Sequence, residues 1–457
     1  MSTQLFLASS LYGLATLAAA LDAGLFPEAD RRILITSNNA PIPEVTPDLT
    51  TMAGHAALRA RFDDHVDWNR FIAPHHPSGW SPRPDDAPLW ERQVRTAWAL
   101  GSAPVHLVVE SIQVSPAQAL CRLFPGAPVT VYADGLMSYG PTRVKLDPQI
   151  GVRVDRLLHP DLAPGLRPLL LREFDVPAET VPDAALRTVL AELADAAPAE
   201  LLAEPLPAGA EPVLLLGQYL SALDLVTEAE EDALHLAMVR GAHALGHRDL
   251  VFKPHPGAPD RHSAVLRAEA ERIGARLLVL DAPVLAEVAY QRLRPALVVG
   301  CFSTGLLTAA TLYGLPVART GTTGLLDRVT PYQNSNRVPL TLVDALVPDL
   351  ADRAAVTAGR PPDADRVART VGDGLLPAVG YAMQARILPE LRPEAERWLA
   401  TRLDARTRHY FKRRRLTALG LPGGLPSRYG TLPARPGVRR AVRRVRRLRR
   451  LVLARLR

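Results

Sequence analysis

The chain has 457 residues, 47% hydrophobic and 22% charged, a globular balance too long for one ordinary core, so two domains are expected. Its two cysteines, Cys121 and Cys301, lie far apart and carry no metal-like neighbour pattern, which excludes a disulfide scaffold and favours a reducing compartment. Net charge is +7, but eleven arginines and no acid fall between 435 and 457, so removing that tail leaves the body at −4.

The opening MSTQLFLASSLYGLATLAAALDAG is apolar, yet no basic segment precedes the apolar run. It is interrupted by Ser9, Ser10, Tyr12, Gly13 and Thr16 and is short for a membrane span. It reads as a strand from Gln4 to Ala8, a small-residue turn and a helix rather than as a signal peptide. RRILITSNN follows as a second strand. VHLVVES and PVTVYADG repeat the pattern, with a helical stretch from Pro116 to Phe124 between them. Short β-rich runs alternating with helices predict a parallel sheet, and such sheets bind ligands at the carboxyl ends of their strands. The polar groups at those ends are Ser9, Ser10, Ser37, Asn38, Asn39, Glu110, Ser111 and Asp134. Each is also the kind of residue that caps a helix or closes a turn.

Residues 176 to 212 are rich in Ala, Pro and Glu and read as helical pieces running into a linker at 191–210. A second alternating unit starts with strand VLLLGQ and a helix from Thr227 to about Leu245. Strand DLVFKPHP, a helix from about Ser263 to Gly274, strand RLLVLD and helix Leu285 to Leu293 follow, then strand ALVVGCFSTG, helix Leu306 to Tyr313 and strand PVART. The expected fold is therefore α/β of the GT-B type. Residues 1–190 and 211–375 form two Rossmann-like domains facing a central cleft, and residues 376–420 form closing helices. Glycosyltransferases share this plan with some epimerases and binding proteins, so fold alone does not set function. From 435 to 457, Val438, Val442, Val445, Leu448, Val452 and Leu456 recur at helical spacing, one apolar stripe on a basic helix.

Three short stretches then stand out: YADG at 132–135, KPHP at 253–256 and CFSTG at 301–305. Taken singly, Asp-Gly is a turn, Ser-Thr-Gly is a helix cap, and His-Pro occurs three times, at His76, His159 and His255. The first two of these histidines lie in stretches with no evident strand-to-helix context. In combination and order the three stretches resemble the bacterial capsule-type α-2,8-polysialyltransferases, whose motifs are an acidic pair before Gly, His-Pro, and Ser-Ser or Ser-Thr. The likeness spans roughly Gln4 to Thr320.

The resemblance implies a CMP-sugar donor and a glycan acceptor, with Asp134 as general base and His255 as general acid. It implies Ser303 and Thr304 around the phosphate at a helix start, Gly305 allowing close backbone approach, and Glu287 on the ribose. Lys253, one of only three lysines, fits a compact cation near phosphate and equally a surface lysine. Gly217 and Gln218, ending a strand, are placed to face the nucleotide. The chain departs from the family at Ala133, where the first carboxylate of the acidic pair belongs; Glu110, ending a neighbouring strand, is the reserve candidate.

No metal-binding set, Walker loop or GxGxxG fingerprint is present in the sequence, which points to a metal-independent transferase using no cofactor beyond its donor. The basic tail suits an anionic membrane surface better than nucleic acid, giving a cytoplasmic enzyme peripheral to the inner face of the membrane. The rival readings are another GT-B enzyme, such as a polyol-phosphate transferase of teichoic-acid type, and a degenerate GT-B protein that binds nucleotide or glycan without turnover.

Overall fold

The computed structural model describes residues 2–207, 209–255 and 261–425, apart from the side chains of residues 261 and 262. The basic amphipathic stretch at 435–457 lies outside the described residues.

In the first half, β1 (Thr3–Ala8), β2 (Arg31–Thr36), β3 (Asp64–Asp67), β4 (Val105–Val109), β5 (Val129–Tyr132), β6 (Val154–Pro160) and β7 (Ala178–Val181) form a parallel sheet in the order β3-β2-β1-β4-β5-β6-β7. In the second half, β8 (Val213–Leu216), β9 (Asp249–Lys253), β10 (Arg276–Val279), β11 (Leu297–Gly300) and β12 (Val317–Arg319) form another, ordered β10-β9-β8-β11-β12. These are two Rossmann-like domains, and the architecture is GT-B. Helices cover both faces of such sheets, so strands read as continuous apolar runs. β1, TQLFLA, is buried at all six positions. Its side chains still alternate: Leu5 and Leu7 face a cluster containing Trp68 and Trp98, while Phe6 and Ala8 face the Leu11–Asp22 helix.

Strand order reverses between β1 and β4 in one sheet and between β8 and β11 in the other. Those two reversals open the crevices into which loops at the strand ends can carry functional groups.

Three strands depart from the sequence expectation. β3, β6 and β7 were not foreseen, because Asp64, Asp155, Arg156 and Glu179 interrupt their apolar pattern. β6 ends in His159-Pro160, so this histidine does have a strand context, and it is buried with Nδ1 3.0 Å from the Pro160 carbonyl. The Asp183–Ala196 helix runs past residue 190 and packs against both the Leu11–Asp22 and Ala286–Leu293 helices. Arg292 then binds the carbonyls of Ala194 and Ala199 at 3.1 and 2.8 Å, tying the start of the connecting segment to the second domain.

Two unforeseen helices, Thr322–Arg328 and Arg337–Leu346, prepare the closing segment. Arg337 is fully buried, and its guanidinium donates to the carbonyls of Leu326, Val329, Tyr332 and Tyr410. The Leu375–Gln384 helix leans back on the first domain: Gly380 lies against Leu169, and Gln384 donates to the Arg143 carbonyl.

Candidate active site

The first-domain side is built where β1, β4 and β5 end. Beyond β1 the chain turns at Ser10, whose extended backbone caps the Leu11–Asp22 helix and whose hydroxyl accepts from the Gly13 amide at 2.9 Å. The same hydroxyl donates to Asp134 Oδ2 at 3.2 Å. Glu110, just past β4, is 8% exposed and lies 3.2 Å from the Tyr132 hydroxyl, which is also 2.9 Å from the Leu7 carbonyl. Ser111 follows Glu110 in the left-handed region at φ +46°, a strained turn for a residue with a side chain. A methyl group on Gly13 would sit 3.0 Å from Ser10 Oγ, 3.2 Å from Tyr132 Oη and 3.3 Å from Glu110 Oε2. Gly13 therefore leaves room for Glu110 and for the Ser10 hydroxyl that holds Asp134.

Burial raises the Glu110 carboxyl to about 7, helped by the charge of Asp134 and opposed by hydrogen bonds from Ser9 and Tyr132. Burial also raises Asp134, against the Ser10 hydrogen bond. Ala133 packs on the opposite, Trp-containing face of the sheet. Glu110 and Asp134 line a cavity of about 290 Å³ with Gln113, Arg143, Thr304 and Ser335 among its walls.

On the second-domain side, Ser303 caps the Thr304–Tyr313 helix and accepts from the Gly305 amide at 3.2 Å. The helix begins at Thr304 rather than Leu306, because the cap recruits the Thr-Gly pair into its first turn. Thr304 Oγ1 accepts from the Leu136 amide at 3.4 Å, a contact between the two domains just beyond Asp134.

Gly305, expected to allow close backbone approach, also meets a close protein neighbour. The space beside its Cα is held by Tyr290: an added Cβ would lie 2.7 Å from the Tyr290 hydroxyl, which donates to the Gly305 carbonyl at 2.9 Å. Gly217 is likewise crowded by its neighbours, since a Cβ there would meet the Phe252 ring at 2.8 Å and the Lys253 carbonyl at 3.1 Å. Gln218 accepts from the Phe302 amide at 2.8 Å, linking the ends of β8 and β11 across the strand reversal. Both are thus engaged in shaping the turn.

Glu287 opens the Ala286–Leu293 helix, is 5% exposed, and is raised to about 7 by burial, with Lys253 opposing. Lys253 itself is lowered by burial, against the pull of Glu287 and Asp281. His255 stands two residues beyond β9, solvent-exposed; crowding by protein and then Lys253 lower its pKa, and Glu231 opposes. The proline that follows lies outside the described residues. Glu231 also accepts from the Ser221 amide and hydroxyl at 3.2 and 2.6 Å, anchoring the loop after β8.

The strand ends therefore bring Asp134 and Thr304 to one cleft, with Ser303 capping the helix that Thr304 opens. Lys253, Glu287 and His255 share the neighbouring edge of the second sheet. Sequence reasoning missed the Tyr12 hydroxyl, which is buried beside Thr308 and sits in the field of both Glu287 and Asp134. Its only signal was position, two residues past a strand-end serine. Among the described residues no three His, Cys, Asp or Glu side chains are grouped to hold a metal, and no helix is long and apolar enough to cross a membrane.

Among solved structures, a mutant O-GlcNAc transferase from Thermobaculum terrenum matches 90% of this chain and 67% of its own at 16% identity, TM-score 0.36. MurG from Acinetobacter baumannii matches 81% and 94% at 9% identity, TM-score 0.41. UDP-bound MnaA from Staphylococcus aureus matches 81% and 95% at 12% identity, TM-score 0.41. No curated protein sequence matches. The model of the alpha-2,8-polysialyltransferase (POLYST) family matches residues 4–322, through both Rossmann-like sheets and all three motif stretches, and the chain belongs to that glycosyltransferase family.

Proposed function

We propose that the protein transfers a sialic-acid-type sugar from a CMP donor to a glycan hydroxyl by direct displacement, without a metal ion, inverting the anomeric centre. The observation that carries this reading is the apposition of two strand ends. Asp134, a carboxylate with a raised pKa, and Thr304, at a helix start, line one cavity. In this reaction the acceptor oxygen bonds to the anomeric carbon as the bond from that carbon to the phosphate oxygen breaks. Asp134 takes the hydroxyl proton, and CMP leaves with the bonding electrons.

Ser303, Thr304 and the amides of the helix start are the phosphate holders in this reading. His255 gives the departing phosphate a proton or hydrogen bond. Crowding by protein and Lys253 lower its pKa, and the negative charge that grows on the phosphate as CMP departs favours the protonated imidazole. Glu287 faces the ribose hydroxyls, Lys253 supplies a partly compensated cation, and Gly217 with Gln218 shapes the nucleotide side of the crevice. The arginine-rich tail is read from sequence as a basic amphipathic helix that keeps the enzyme on an anionic, inner-leaflet membrane surface near a capsule-type glycan.

Ligand-induced thermal stabilisation tests the donor. CMP at about a hundred times its dissociation constant should add roughly 2.7 kcal/mol, with transfer from a CMP-sialic acid to an oligosialic acceptor seen in parallel. Stabilisation by CDP or UDP but not CMP overturns the donor assignment. CMP binding without any transfer favours the non-catalytic alternative.

A further inference from the structure

Two carboxylates from different strands meet at the first sheet's reversal point. Glu110 is held by Tyr132 and Asp134 by Ser10, both of which border Gly13; each carboxylate feels the other's charge, and neither forms an ion pair among the described residues. A carboxylate placed for structure alone is ordinarily paired or solvated. These two share a cavity wall with each other. We propose that Glu110 and Asp134 work as one proton-accepting pair, Asp134 touching the acceptor hydroxyl and Glu110 supplying the second negative charge that makes it a strong enough base.

The proposal rests on the transfer reaction above and deepens it. Like charges in one desolvated site resist double ionisation, so the pair holds a proton to higher pH than either carboxyl would alone. With Glu110 near 7, the pair loses its last proton around neutrality and is then ready to take one from the acceptor. The groups that face it are the Tyr132 hydroxyl, the Ser9 and Ser10 side chains, Arg143 across the cavity, and the Tyr12 hydroxyl, itself raised by burial, by Glu287 and by Asp134. The proton balance closes simply: the hydroxyl proton moves to Asp134, the sugar bond forms, CMP departs, and the pair returns the proton to solvent. Glu110 is a positioning residue here, acting through Asp134.

The test is the pH dependence of transfer between pH 5 and 9 for wild type, Glu110→Gln, Asp134→Asn and the double variant, with CMP-induced stabilisation measured on each. Wild-type kcat/KM should rise with pH through an acid limb near 7. Carboxylates must be ionised to act, and removing a neighbouring charge lowers the remaining pKa. Glu110→Gln should therefore move the limb down by about one unit and lower kcat by roughly ten- to a hundredfold. Asp134→Asn should lose about 10²–10⁴ in kcat, and the double variant no more. Glu110→Asp, keeping the charge, should hold the limb near neutrality.

A Glu110→Gln enzyme with the wild-type limb and kcat, or losses that multiply in the double variant, overturns the pair. If CMP does not stabilise the protein and a CMP-sialic acid supports no transfer, the reaction reading fails instead. The pair is then decided by carboxyl NMR titration. A Glu110 carboxyl titrating at its ordinary value, unmoved by Asp134→Asn, refutes it; one near 7 that falls on substitution upholds it.

Discussion

Gly305→Ala separates two reasons for a glycine at a helix start. If the residue is small so that a phosphate can come close, alanine should weaken CMP binding and leave the unliganded protein sound. The geometry says otherwise: the new methyl would stand 2.7 Å from the Tyr290 hydroxyl and 3.1 Å from Leu216 Cδ1, inside contact distance. Its φ is not left-handed, so backbone strain is not at issue. Alanine gains up to about 1 kcal/mol of helix propensity, while forcing a methyl into a packed core costs about 1–3 kcal/mol. Displacing the hydroxyl also loses its 2.9 Å bond to the Gly305 carbonyl, about 1 kcal/mol. The balance is a loss of roughly 1–3 kcal/mol. Tyr290→Phe alone should cost about 1 kcal/mol, but in the double variant the missing hydroxyl makes room for the methyl. Urea unfolding of the four proteins should therefore show losses that fail to add, with a coupling of about 1 kcal/mol in favour of the double variant. Additive losses, or a Gly305→Ala protein as stable as wild type, would refute the packing account.

Four further outcomes follow from the structure. Gly13→Ala should lower kcat at least tenfold while leaving CMP stabilisation intact, because its methyl crowds Ser10, Tyr132 and Glu110 on the acceptor side only; a wild-type rate would remove Gly13 from the site. His255→Ala should abolish most transfer, a loss of about 10²-fold or more. His159→Ala, buried at the end of β6, should reduce thermal stability and spare the chemistry of the enzyme that remains folded. Asp344 is held down to about 2: burial opposes this, but His409, Arg319, Thr322 and Tyr410 outweigh it. A depressed carboxyl contributes stability that is present above pH 4 and lost as pH falls toward 2. That contribution is about 2 kcal/mol, so Asp344→Asn should flatten thermal stability across this interval, and an unchanged acid slope would contradict it.

What could be read from the chain in advance followed from strand periodicity. The apolar runs at 4–8, 105–109, 213–216 and 297–300 are central strands, covered on both faces, and their pattern is unbroken. β3, β6 and β7 lie toward the edges of the first sheet, where half-exposed positions admit Asp64, Asp155 and Glu179, and the apolar signal fades. The motif residues were legible because strand ends are where parallel sheets present polar groups. What those residues touch was not. Nothing in the order of residues says that Tyr290 fills the space before Gly305, that Gln218 is spent on the Phe302 amide, or that Gly13 supports a carboxylate from a strand 97 positions later. Such contacts join strands adjacent in space and remote in sequence.

The same point bears on the alanine at 133. Along β5 the side chains alternate, so Tyr132 and Asp134 turn toward the Leu11–Asp22 helix while Ala133 turns to the tryptophan-lined face. A carboxylate at 133 would point away from Glu110, Ser10 and Gly13, unless the backbone shifted at this strand end. Changing which of two consecutive positions carries the acid thus changes the face of the sheet on which proton transfer occurs. With Asp134 as the acidic residue, the site falls on the side where β4 delivers Glu110 and Ser10 closes the turn. The restoring substitution Ala133→Glu therefore should not rescue an Asp134→Asn enzyme. It would place a carboxyl at the border of the tryptophan-containing cluster, where an unpaired acid destabilises the protein. Transfer regained by Asp134→Asn with Ala133→Glu would show instead that the strand end is pliant enough to turn either residue into the cleft.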